Sequence, residues 1–147
     1  MGEATDLRHL FGALYAEQQA IAIYEAQVFW RSRSDELIFR EILAEERLHS
    51  LSIEPFVKLN FASFLIRPFN ILFGWLFGTL LSMLPRKLCY RIHVWAEKDA
   101  AKTYEDAARK TSKDEAPALY DALTHAARQE YQHAERFQKK LLDSNVK

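Results

Sequence analysis

The chain has 147 residues, enough for a single domain with its own core. Twenty lysines and arginines balance twenty aspartates and glutamates, so the cationic excess that a nucleic-acid partner requires is absent. Hydrophobic residues reach 49% and Cys89 is the only cysteine, which argues against disorder and rules out an internal disulfide and cysteine-based zinc or rubredoxin-type iron sites.

Met1 to Leu10 carries acidic residues and no apolar signal core, so no secretory peptide is expected, although a mature organellar protein would look the same. Helical spacing of apolar residues then predicts an all-α chain of four amphipathic helices in two hairpins. The first helix runs from about Thr5 to Trp30, with Leu7, Leu10, Leu14, Ile21, Tyr24 and Val28 on its seam. Arg31 to Ser34 form a turn, and Ser34 or Asp35 is the expected N-cap of the second helix. That helix runs to about Val57, kinked at Pro55, with Ile38, Ile42, Ile53 and Phe56 on its seam. The third follows Pro85 and ends near Lys110, with Tyr90, Val94, Ala101, Tyr104 and Ala108 inward. Thr111 to Asp114 make the second turn, Pro117 suits the first turn of the fourth helix, and that helix ends near Leu142. Its seam is Leu119, Leu123, Ala126, Phe137 and Leu141.

Every seam is interrupted in its middle by polar residues: Glu17, Glu46 with His49, Glu97, and Glu130 with His133. A buried carboxylate costs several kcal/mol unless it is paired or binds a metal. Glu46-Arg47-Leu48-His49 and Glu130-Tyr131-Gln132-His133 are both Glu-x-x-His, which puts both side chains on one helix face. One glutamate from each of two helices plus Glu-x-x-His from each of the others is the ligand pattern of di-iron carboxylate bundles. Hairpin geometry chooses the lone glutamates, because residues equidistant from a turn lie at one height. The midpoint of Glu17 and Glu46 falls between Arg31 and Ser32, and that of Glu97 and Glu130 between Lys113 and Asp114, inside the two expected turns. The rivals Glu25 and Glu105 fall off the seams and too near their turns. Two iron ions suit this oxygen-rich donor set better than zinc, with manganese as the alternative. Both halves read Glu-x6-Tyr, a turn, then Glu-x-x-His, so Tyr24 and Tyr104 occupy related places near the site, as donors of hydrogen bonds or electrons or, more often for seam tyrosines, as core aromatics with a satisfied hydroxyl. His9, His93 and His125 are expected to be exposed or capping, and Cys89 to be a small buried hydrophobe.

Between the hairpins, residues 60–84 form a long apolar crossover. Its most apolar part, Ile71 to Leu84, would span about 21 Å as a helix, short of a bilayer core of about 30 Å. Arg67 before it and Arg86, Lys87 and Arg91 after it suit anionic headgroups, so a membrane-interfacial segment is expected. The alternative is a crossover helix buried against the bundle or against the partner in a homodimer.

The run Glu17-Gln18-Gln19-Ala20-Ile21-Ala22-Ile23-Tyr24-Glu25-Ala26-Gln27 resembles the first metal-ligand helix of the demethoxyubiquinone hydroxylases. Glu46-x-x-His49, Arg67-Pro68 with Phe69-Asn70-Ile71-Leu72-Phe73-Gly74, Glu97 with Tyr104, and Glu130-x-x-His133 follow in that family's order over nearly the whole chain. Leu14-Tyr15-Ala16 stand before Glu17 where the family usually has His-Ala-Gly, and relatives often continue beyond the fourth helix. The resemblance implies a single ferritin-like di-iron domain over 1–147, a monooxygenase that hydroxylates a prenylated demethoxyquinone ring in ubiquinone biosynthesis. It implies O2 and an unidentified electron donor as partners. The expected location is peripheral, on a membrane facing a reducing compartment: the bacterial inner membrane, or the mitochondrial inner membrane on its matrix side. The competing expectations are a ferritin-like iron oxidase or peroxide scavenger, and a non-enzymatic lipid-binding helical module.

Overall fold

The structure, a computed structural model, describes residues 9–31, 33–57 and 61–143, with side chains over 10–31, 37–57 and 65–143. All regular structure among them is helical: α1 (His9–Trp30), α2 (Arg33–Ile53), a 3-10 turn (Glu54–Phe56), α3 (Phe61–Met83), α4 (Arg86–Lys110) and α5 (Pro117–Asp143). The expected start of the first helix, from Thr5 to Arg8, and the seam residue Leu7 lie outside the described residues, as does the side chain of His9.

Helices α1, α2, α4 and α5 pack around two apolar layers. One holds Leu10, Leu14, Ile53, Tyr104, Leu119 and Leu123. The other holds Tyr24, Ile38, Phe39, Ile42, Tyr90 and Phe137. Complete burial of side chains such as Phe39 and Phe137 stabilises the fold by about 1.5–3 kcal/mol each. The polar residues that interrupt the seams lie between the layers. Glu25 meets Arg47, Tyr24 meets Glu97, Gln27 meets His93, and Glu45 meets Arg136, so α1 runs antiparallel to α2 and α4, and α2 antiparallel to α5.

Three local expectations change. α2 already begins at Arg33, so Ser34 and Asp35 sit inside its first turn rather than at its cap. Pro55 does not kink a continuing helix: α2 ends at Ile53, and Pro55 enters the 3-10 turn, where its missing N–H breaks no α-helical bond. The crossover is a helix of 23 residues, longer than the apolar core of the segment suggested, because it takes Pro68 into its interior. Its Leu65–Met83 part is long and apolar enough, by length and composition, to cross a membrane.

α3 runs parallel to α1 along its outer side. Asn70 Nδ2 donates to the Tyr15 carbonyl at 2.8 Å, and Arg31 donates to the Leu81 and Leu84 carbonyls at 2.9 and 3.3 Å, satisfying groups at the C-terminal end of α3. Two glycines set the approach between these anchors. A Cβ on Gly74 would lie 2.7 Å from the Gln19 carbonyl oxygen, and one on Gly78 would lie 2.4 Å from that of Ile23. Ala22 and Ala26 meet them from α1, a small-residue seam that lets two backbones touch. The opposite face of α3 exposes Phe69, Leu72, Phe73, Leu76, Leu80 and Met83. An apolar surface of that extent on one helix marks an interaction site.

Candidate metal centre

α1, α2, α4 and α5 bring Glu17, Glu46, His49, Glu97, Glu130 and His133 together, each at most 5% exposed. They form two donor groups, Glu17–Glu46–His49–Glu130 and Glu46–Glu97–Glu130–His133, with all donor atoms of a group within 4.8 Å of one another. Glu46 and Glu130 belong to both. The i, i+3 spacing explains the local part: each Glu-x-x-His sends its carboxylate and imidazole inward from one face. The rivals stay outside. Glu25 pairs with Arg47 at the surface at 2.8 Å, and Glu105 lines an outer groove with Arg109, Tyr120 and Arg128.

The two histidines turn the same nitrogen inward. His49 Nδ1 lies 3.1 Å from Glu130 Oε1 and 3.8 Å from Glu17 Oε1. His133 Nδ1 lies 3.3 Å from both Glu46 Oε1 and Glu97 Oε2, and 3.5 Å from Glu130 Oε2. Their outer nitrogens are held reciprocally. His49 Nε2 donates to Gln129 Oε1 and His133 Nε2 to Glu45 Oε2, both at 2.8 Å. Each anchor immediately precedes the glutamate of the opposite half's Glu-x-x-His. Arg136 in turn holds Glu45 through two contacts of 2.8 and 3.3 Å. Fixing Nε2–H in this way aims the Nδ1 lone pair at the cluster, as in metal-bound imidazoles.

The electrostatics are those of a cluster short of positive charge. Burial, then the Glu46 and Glu130 carboxylates, push Glu17 well above the usual carboxylate range. Burial and the neighbouring Glu130 and Glu46 do the same to Glu97, although His133 opposes it. Burial disfavours a charged His49, yet Glu130 and Glu46 outweigh it and push the imidazole up to about 10. Burial would raise Glu130, but His133 and His49 beside it hold it down to about 2. Glu17 Oε2 is buried without a hydrogen-bond partner, and His49 Nδ1 and Glu130 Oε1 face each other at 3.1 Å without the alignment of a full hydrogen bond. Unsatisfied buried groups cost about 1–3 kcal/mol each, more when charged. A divalent cation relieves both the repulsion and the unsatisfied atoms, so the donor set fits a metal.

Tyr24 and Tyr104 are both buried beside the cluster, but they differ. Tyr24 donates its hydroxyl to Glu97 Oε1. His93 Nδ1 lies 3.2 Å from the same hydroxyl, while His93 Nε2 donates to Gln27 Oε1 at 2.8 Å. Gln27 Nε2 continues to Cys89 Sγ at 3.4 Å. His93 is therefore neither exposed nor a cap: burial, then the Arg31 charge, lower it to about 3, and it is a neutral link in a buried polar chain. Its partners come from α1, so no local signal on α4 could reveal this. His125 is exposed as expected, and Cys89 is buried. Glu45, Gln129 and Arg136 were also missed. Their one signal is position, the first two directly before the Glu-x-x-His glutamates and Arg136 three residues after His133.

A cavity of about 230 Å³ opens onto the cluster between α1, α3 and α4. Exposed Phe77 and Trp95 mark its outer end, and buried Glu17, Glu97 and Tyr104 its inner end. No family model matches the chain, nor does any curated protein or solved structure.

Proposed function

We propose that the chain is a ferritin-like four-helix bundle holding two iron ions, and that it is a monooxygenase of the demethoxyubiquinone hydroxylase type. Its reaction would hydroxylate a prenylated demethoxyquinone ring at a membrane surface, with O2 and an external electron donor. The observation that carries the reading is the pair of donor groups sharing Glu46 and Glu130. Glu46 and Glu130 would serve both ions, with Glu17 and His49 helping to hold one and Glu97 and His133 the other. Carboxylate-rich sites with few nitrogen donors suit iron or manganese rather than structural zinc. The antiparallel packing of α1, α2, α4 and α5, with a long crossover between hairpins, supports the ferritin-like assignment.

Bound iron would supply the activation of O2. The chain's own residues would do the rest. Gln129 and Glu45 orient the two imidazoles, Tyr24 orients Glu97, and the apolar layers exclude water. The cavity suits one ring: a space of about 150 Å³ already accepts benzene, and this one is larger at 230 Å³. A long prenyl tail has to leave it past Phe77 and Trp95, toward the exposed face of α3. We read α3 as lying in the membrane interface rather than crossing. Crossing would carry α1, packed along its whole inner side, into lipid together with Gln19 and Glu25.

The test is direct. Protein expressed with iron should carry two metals per chain, and a short-tailed demethoxyquinone with reductant and O2 should give the hydroxylated ring. Fewer than one metal per chain, unchanged by Glu46→Ala, would end the di-iron reading. Metal binding without product, even with lipid present, would favour an iron oxidase.

A further inference from the structure

α2 carries two apolar seams, and the bundle uses only one of them. Ile38, Ile42 and Ile53 are buried with Glu46 and His49. On the outer face stand Leu37, Glu41, Ala44, Leu48 and Leu51, spaced alternately by four and three residues. The three leucines are 65%, 64% and 63% exposed, and Glu41 and Ala44 are exposed with them. This spacing makes the narrow stripe of a two-helix coiled coil, unlike the broad apolar face of α3. Ion pairs within the chain border it: Arg47 with Glu25, and Glu45 with Arg136. A lipid surface covering the stripe would have to take in Glu41 and both borders, at a high cost in desolvation. A second narrow helix meets the stripe and leaves the borders in water.

We propose that the outer seam of α2 docks a second copy of this chain, α2 against α2 in antiparallel sense about a two-fold axis. Charge selects the sense. Parallel pairing would stack Glu41 on Glu41 of the second copy within the seam, a like-charge contact. In the antiparallel register that uses every seam residue, Ala44 meets Leu48 and Glu41 meets Leu51, and each contact occurs twice. Small then packs against large at the centre. The border beside the seam runs Arg40, Arg47, Glu54, basic at its start and acidic at its end. Reversing one copy therefore brings its Glu54 beside Arg40 of the other, an ion pair formed twice. On the membrane reading above, this sense has a further consequence. Its axis is perpendicular to the helices, so both copies can lay α3 on one surface. An axis along the helices would turn the two α3 faces opposite ways. The stripe from Leu37 to Leu51 is about 21 Å long, which places the contact at the small end of specific interfaces and makes the dimer reversible.

Sedimentation velocity of the full chain tests the pairing. Wild type and Phe73→Glu, which charges the α3 face, should both shift from monomer to dimer between about 1 and 200 μM. Leu48→Glu added to either should weaken association by more than about 30-fold, because each dimer then buries two carboxylates. Leu51→Arg is a second variant and should act alike. Both replace exposed side chains, so melting should stay at the wild-type temperature. Cross-linking tests the sense, since Cys89 is buried and an introduced thiol is the accessible one. Ala44→Cys mixed with Leu48→Cys should link unlike copies, whereas each variant alone should link poorly. A wild type that stays monomeric over this range would overturn the inference. So would a dimer that survives both seam variants, or one that Phe73→Glu abolishes, which would make α3 the contact. Efficient linking of each variant to itself would overturn the antiparallel sense. None of these outcomes alters metal content or product formation, so the proposed function is judged separately.

Discussion

The α1–α2 hairpin and the α4–α5 hairpin carry the same donor types at matching positions, but among the described residues only the first has an extra helix packed along it. At the cluster the halves are nearly interchangeable. Each gives a lone glutamate, a Glu-x-x-His and the anchor for the other half's histidine. Away from it they diverge. α3 lies along α1 through Gly74 and Gly78, and the cavity opens beneath it. Symmetry therefore belongs to the part that gathers the buried charge, and asymmetry to the part that leaves an open cavity. On the proposed function, two adjacent cations would need matched donors, whereas a single substrate would need one way in.

The largest effect should come from breaking the shared donors. Glu46→Ala or Glu130→Ala removes a residue from both donor groups, so neither ion should bind, and metal content per chain should fall to near zero. Loss of only one ion would show that the shared carboxylates are not bridging. Next come the reciprocal anchors. Glu45→Ala frees His133 and should weaken metal affinity by about 10–100-fold, with a smaller loss for Gln129→Ala because its bond to His49 is uncharged. Titration with manganese should then resolve two unequal sites, where the proposed two-ion centre should give two similar ones in the wild type.

The α3 side offers a structural version of the same contrast. Gly78→Ala puts a methyl against the Ile23 backbone, which cannot yield without moving α3. It should cost about 1–3 kcal/mol, seen as a lowered melting temperature. Phe73→Glu, on the exposed face, should leave melting unchanged and abolish binding to anionic vesicles.

The smallest effect is on the pH dependence of the metal-free protein. Glu17 and Glu97 are raised in the folded state, and His49 rises from 6.5 to about 10. Each binds its proton more tightly folded than unfolded, so its contribution is present at lower pH and lost as pH rises. For His49 that loss runs from 6.5 through about 10. Glu130, held down to about 2, works the other way but only in acid. The chelator-treated protein should thus lose several degrees of melting temperature between about pH 6 and pH 10, following the shift at His49. The metal-loaded protein should lose much less, since metal binding displaces those protons.

Much of the site was legible because its signals are local. Glu-x-x-His is an i, i+3 relation on one helix, and the seam gaps are helix periodicity interrupted by charge. Hairpin midpoints added height, and the structure brings together the six residues so chosen while leaving Glu25 and Glu105 at the surface. The helical class was equally legible from periodicity and the turn residues around Pro85 and Pro117. Tertiary structure alone decided the rest. His93 looked like a surface histidine because its partners, Tyr24 and Gln27, lie on another helix. The role of Gly74 and Gly78 depends on the Gln19 and Ile23 backbones they approach, which no pattern within α3 contains. The different fates of Tyr24 and Tyr104 are of the same kind. Their sequence contexts match, and what separates them is which residue fills the space across the bundle: His93 beside one, and an alanine-lined cavity beside the other. A helix dictates which side chains share its face, but only packing determines what each of them meets.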